Sequence, residues 1–300
     1  MTSTASKARS LPPVPAHGRV GLRQLIVSEW TKFRSVRSTW ISLGLIVIFG
    51  VGFGALFSWA FGHHWAHRPI SDKLNFDPVT IALAGTLFGQ LVAGVLGVLF
   101  ITSEYSTGSI RTTVAAAPRR LSVGGAKAIV LAATIFVVGE ITTFASFFVS
   151  HAVLVAVGGK PLPAGATLLQ QAQSKVVPVV SISSPGVAMA VFRAGIFLML
   201  ASLLALGIGF LLRNTAGAIS LYVGLFLALP LLLLALPSSI TKPIEPRLPS
   251  NLGSAMSSTR AHSNNGGTVL MHPWPAALLL VFYVVVVLGF GLFSFIRRDA

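Results

Sequence analysis

Six runs of about twenty apolar residues, set apart by short polar segments, decide what this chain can fold into. They fall near 39–61, 79–101, 128–157, 194–212, 216–236 and 275–296. A bilayer core takes roughly 20 apolar residues per helix, and inside it each helix must satisfy its own backbone. The runs therefore predict an all-α integral membrane protein with six transmembrane helices. Hydrophobic residues make up 54% of the 300 and charged residues 10%, and the longest polar segments are 1–38, 158–193 and 237–274. None of these has room for a soluble ATPase, kinase or hydrolase domain. The lack of cysteine excludes disulfides, thiolate metal sites and cysteine nucleophiles.

A net charge of +15 suggests nucleic acid at first sight. In a six-span chain, orientation and contact with anionic membrane lipid explain it better, and no nucleic-acid partner is expected. With both termini cytoplasmic, the inner segments carry 14 Lys and Arg in 70 residues and the outer ones 8 in 91. The inner density is about twice the outer, as the positive-inside rule requires. The expected topology is a membrane crossed six times, with both ends inside.

Residues 1–18, rich in Ser, Thr, Ala and Pro, read as a disordered tail. Residues 19–38 have helical periodicity: Leu22, Leu25, Ile26, Trp30, Phe33 and Val36 share an arc, with Arg23, Lys32 and Arg34 elsewhere. A basic amphipathic helix leading into a span lies in the membrane interface; a plain stop-transfer anchor is the simpler alternative. Glu29 sits inside the apolar arc, where lipid would not take it, and this points to a protein partner. Residues 39–300 form the six-span domain.

Small residues recur every four positions in the second run (Gly85, Gly89, Ala93, Gly97) and in the fifth (Ala216, Ser220, Gly224, Ala228). Such stripes let helix backbones approach closely in lipid, within a bundle or between copies. Two polar residues fall mid-span. Gln90 reads as a structural hydrogen-bonding group. Glu140 is a functional-site candidate because an intramembrane carboxylate is costly; a protonated, bonded Glu or one facing a wet cavity are the alternatives. No phosphate-binding loop, H-E-x-x-H or G-x-S-x-G occurs. His63, His64 and His67 read as an interfacial loop, so no metal, cofactor or catalytic residue is assigned to the chain.

The segment after the second run is the most specific: Glu104-Tyr105-Ser106-Thr107-Gly108-Ser109-Ile110-Arg111, then Pro118-Arg119-Arg120. Gly108 is placed to end the emerging helix through a left-handed cap, and Ser109 to start a short basic helix that Pro118 stops. This segment resembles the E-Y-x-x-G-x-[IM]-R…P-R-R element of permease subunits of ATP-binding-cassette exporters of the type-2 class, in a six-span group common in actinobacteria. Ser28-Glu29-Trp30-Thr31-Lys32-Phe33-Arg34, Phe76-Asp77-Pro78, Arg213-Asn214-Thr215-Ala216-Gly217, Leu248-Pro249-Ser250-Asn251 and Arg297-Arg298-Asp299-Ala300 extend the resemblance over most of the chain.

The resemblance implies a non-enzymatic transport subunit that moves a drug, peptide or lipid-like cargo. It would pair with a second permease copy and with separate ATPase subunits, which carry the ATP and Mg²⁺. The loop after the second span is then a cytoplasmic coupling helix, with Glu104, Gly108, Ile110, Arg111, Arg119 and Arg120 in that role. The 19–38 segment is an elbow helix braced by Glu29, Trp30, Lys32 and Arg34, and the loop before the sixth span is partly re-entrant. An acid at 140 is not part of the pattern. It keeps open a second reading, a proton- or ion-coupled secondary transporter, against which the absence of inverted repeats argues.

Overall fold

A computed structural model describes residues 21–110, 120–161, 168–259, 264–265 and 268–297. The N-terminal tail, Arg111 and Arg119 lie outside them. The chain is an all-α, multi-pass membrane protein, with six helices long and apolar enough to cross a bilayer among the described residues.

Helix α1 (Leu22–Ser35) ends at Val36, whose extended backbone separates it from α2 (Arg37–His63). The carbonyls freed at this break are satisfied locally. Trp40 Nε1 donates to the Arg34 carbonyl at 2.9 Å, and Ser35 Oγ to that of Lys32 at 2.7 Å. The second span is α3 (Thr86–Ser106), preceded by a separate short helix, Pro78–Ala82. Asp77 caps that short helix by accepting from Val79 N at 3.0 Å. Ser146 Oγ donates to the Ala82 carbonyl at 2.6 Å, where the chain breaks before α3 begins.

The third span, α4, runs from Arg120 to Ala156, and its 37 residues extend about 55 Å. That exceeds the roughly 30 Å hydrocarbon core, so turns at its ends stand clear of it. The fourth, α5 (Val187–Leu212), is the centre of the bundle: 72% of its apolar window is buried, against 22–50% for the others. It packs against α3, α4 and the last helix, α8 (Pro273–Arg297).

A two-residue turn, Arg213 and Asn214, leads into α6 (Thr215–Leu233), whose start is capped by Asn214 Oδ1 accepting from Gly217 N at 2.8 Å. Pro230 has no N–H for the helical bond back to Phe226. Helix α6 absorbs this as a π-turn over Gly224–Ala228, closed by Leu229 N–H donating to the Gly224 carbonyl. Between α6 and α8 the buried helix α7 (Pro249–Ser257) packs against α5 and α8.

Three span boundaries differ from the sequence expectation in the same way. The third span begins at Arg120 rather than 128, the fourth at Val187 rather than 194, and the second ends at Ser106 rather than 101. Lys127, Arg193 and Glu104 thus belong to the helices. The two small-residue stripes also part ways. Gly85, Gly89 and Gly97 face α2 and α5 inside the protomer, whereas Ala216, Ser220 and Ala228 are exposed.

Candidate functional site

The end of the bundle that carries α1 and the last turn of α8 holds a cluster of four charges. Helix α1 brings Glu29 and Lys32, α3 brings Glu104, and α4 brings Lys127. Glu29 lies on the same face as Leu25 and Phe33, and all three are buried. Leu25 packs with Val123 and Ala126 of α4, and Phe33 meets Phe100 of α3 edge-on at 4.9 Å. This apolar seating of α1 carries Glu29 out of contact with water, so it needs a counter-charge inside the protein.

Lys127 supplies it. Its Nζ donates to Glu29 Oε2 at 2.6 Å and to Glu104 Oε1 at 2.8 Å, and lies 4.8 Å from the centre of the Phe100 ring. Lys127 and Glu29 side chains are 1% and 2% exposed, so this is a fully desolvated pair. Lys32, half in water, closes the square by donating to Glu29 Oε1 at 2.9 Å and Glu104 Oε1 at 3.1 Å. The two acids and two bases cancel. Burial is the largest influence on Lys32 and pulls its ammonium down. The hydrogen bond to Glu29 and the carboxylate charges of Glu104 and Glu29 outweigh it, holding Lys32 above the ordinary 10.5. Its contribution to stability is therefore full below pH 10.5 and fades only as pH rises through the higher folded value.

Glu29 thus finds its partner within the chain, not on another protein. Of the other residues singled out from sequence, Gly108 ends α3 with φ +70°, the left-handed cap its position predicts. Ile110 is buried in the main core. Arg120 Nη1 lies 3.4 Å from the carbonyls of Phe295 and Ile296 in α8, and Arg213 Nη2 donates to Ser294 at 3.0 Å. Trp30 stacks on Phe33, and Arg34 is exposed.

Gln90 and Glu140 lie elsewhere. Glu140 is 13 residues beyond Lys127 on α4, about 20 Å along the axis. Its carboxylate rests against Gly195, and neither oxygen has a hydrogen-bond partner among the described residues. Gln90 Oε1 likewise has none.

A second set of polar links ties down the opposite end. Arg193, near the start of α5, donates Nε–H to the Met256 carbonyl at 2.8 Å and Nη2–H to Ser258 at 3.2 Å. Asp77 Oδ2 accepts from Thr259 N at 3.2 Å and Thr259 Oγ1 at 3.1 Å. Together they pin α7 and the segment after it to the bundle.

Sequence reading missed Lys127 and Arg193 as site residues. Each is the single charge in an otherwise apolar stretch next to a span, the one signal that marked it. No group of three or more metal-binding side chains occurs among the described residues. Compared with protein-family models and with curated proteins, the chain matches none.

Proposed function

We propose that this chain is the permease subunit of an ATP-driven exporter of the ATP-binding-cassette type, working with a second permease copy and separate ATPase subunits. The observation that carries this reading is the meeting of Glu29, Lys32 and Glu104. All three lie in the two segments that resemble the exporter permeases, and Lys127 draws both onto α4. A loop that receives force must be fixed rigidly to what it moves. Four mutually neutralising charges, three of them buried, give that fixation at the root of the segment beginning at Gly108. A rival, a proton- or ion-coupled secondary transporter, has one observation in its favour: the Glu140 carboxylate beside Gly195, which has no hydrogen-bond partner among the described residues.

One experiment separates them. The purified chain is expected to hydrolyse no ATP, and a soluble ATPase to co-purify from the native host. Arg111→Ala is expected to weaken that association roughly ten- to hundredfold, the cost of one charge-assisted contact. Glu140→Gln, which keeps shape but removes the titrating proton, is expected to leave transport nearly intact. Normal association in Arg111→Ala with loss of flux in Glu140→Gln would replace the exporter by its rival.

Orientation has its own test. With both termini cytoplasmic, single cysteines at the exposed Ser35 and Ser106 are expected to react only from inside, and one at the exposed Ser183 only from outside. The reverse labelling would put the Gly108 segment out of reach of any cytosolic ATPase.

A further inference from the structure

Between α6 and α7 the chain forms a short helix, Ser238–Ile244, and a tight turn, Glu245–Arg247. Tyr283 Oη donates to the Arg247 carbonyl at 3.2 Å. Tyr283 lies ten residues from the start of α8 and fourteen from its end, about 15 and 21 Å along the axis. This bond holds Arg247 deep within the roughly 30 Å hydrocarbon core, and the residue is exposed there.

A charge at that depth is costly, and such residues almost always meet water or a counter-charge. Among the described residues Arg247 makes no ion pair, and its guanidinium makes one hydrogen bond, from Nη1 to the Pro243 carbonyl. Glu245, two residues away, is not paired with it. Most of the five guanidinium N–H donors are therefore unspent. The bond to Pro243 also places the guanidinium. Pro243 and Arg247 both border a cavity of about 410 Å³ between α5, α6 and α8. Its wall is aliphatic, with Leu204 and Ile208 from α5, Leu225 from α6 and Val286 from α8, and Arg247 is the one charged residue lining it. Ile244 and Phe282, 41% and 59% exposed, border it on the flank, so it opens towards the bilayer.

We propose that this cavity receives the aliphatic tail of a carboxylate amphiphile in transit through the bilayer, and that Arg247 pairs with its head. The chemistry is specific. A guanidinium fork matches a carboxylate with two parallel hydrogen bonds. One arginine balances one negative charge, so a doubly charged head would carry an uncompensated charge into an apolar setting. A cationic head is repelled, and a neutral one leaves Arg247 as costly as before. The proposal deepens the transport reading by naming a class of cargo. Its test measures binding to the chain alone, so it can fail while the ATPase association stands, and the reverse.

The test uses the purified full chain in nanodiscs with three probes of equal chain length, each with a diazirine at the tail: a fatty-acid anion, an alkyl alcohol and an alkyl-trimethylammonium. The fatty-acid anion is expected to label Leu204, Ile208 and Leu225 about tenfold more than either of the others, the worth of one charge-assisted contact. Arg247→Gln keeps a donor for the Pro243 carbonyl but removes the charge. It is expected to erase that preference and leave labelling by the alcohol unchanged. Arg247→Lys should restore part of it, since an ammonium pairs with a carboxylate without the fork. Val286→Phe fills the cavity without touching the charge and should lower labelling by all three probes. If Arg247→Gln does not fold, the parent's preference and its loss in Val286→Phe decide the matter. Equal labelling of the parent by all three probes would make the cavity a lipid fissure without selectivity and overturn the proposal. Labelling by none would mean that a second copy covers the mouth, and would overturn it too. So would an Arg247→Gln variant that loses labelling by every probe alike, since Arg247 would then only hold the wall in shape.

Discussion

Replacing Lys127 with methionine is expected to destabilise the protein by about 3–5 kcal/mol, the cost of leaving a buried charge without its partner. The substitution removes both short bonds from the Lys127 ammonium and leaves Glu29 and Glu104 with only Lys32 between them. Reversible unfolding in mixed micelles measures the loss. Adding Glu104→Gln to Lys127→Met restores one acid to one base and is expected to recover part of it, which makes the coupling of the pair measurable. Lys32→Met touches the same acids, but its side chain is 39% exposed and it should cost no more than about 1 kcal/mol. A Lys127→Met variant as stable as the parent would show that the cluster bears no weight in the fold.

Arg193→Met is expected to raise hydrogen exchange across 249–259 by roughly ten- to hundredfold, while the core of α5 stays protected. The guanidinium holds the carbonyls of Met256 and Ser258 through two charge-assisted bonds. Losing such a bond costs about 1.5–3 kcal/mol, which sets the size of the increase. Asp77 still anchors Thr259 in this variant, so α7 should loosen locally rather than detach. Exchange that rises equally over the whole bundle would mean that Arg193 supports the fold globally and is not a pin for α7.

The six spans were legible because bilayer thickness imposes a length and a composition that no other environment demands. Their ends were not, and the errors share a cause. A hydropathy pattern prices each charge as if it faced water or lipid, so apolar runs were cut at Lys127, Arg193 and Glu104. In the fold these residues lie inside the helices and meet partners supplied from as far as 98 residues away. Distance along the chain hides such pairing from any local pattern. Glu29 was the exception, because an acid in an apolar arc announces an unmet need, but the sequence could not say that Lys127 meets it. The stripes make the same point: equal spacing in α3 and α6 serves internal packing in one and faces outward in the other. Gln90 read as a structural hydrogen-bonding group, and only the fold reveals that its oxygen has no partner among the described residues.

The charge cluster also sets a timetable for the newborn chain. Glu29 leaves the ribosome 98 residues before the lysine that neutralises it. At about 5–20 residues per second that is a wait of about 5–20 s, during which two spans are made. Helix α1 has only Lys32 to balance Glu29 in that interval, and its buried face has no α4 to cover it. A ribosome stalled before codon 127 would therefore hold a chain whose first helix is made but not yet docked, and synthesis of the third span is the event that commits it.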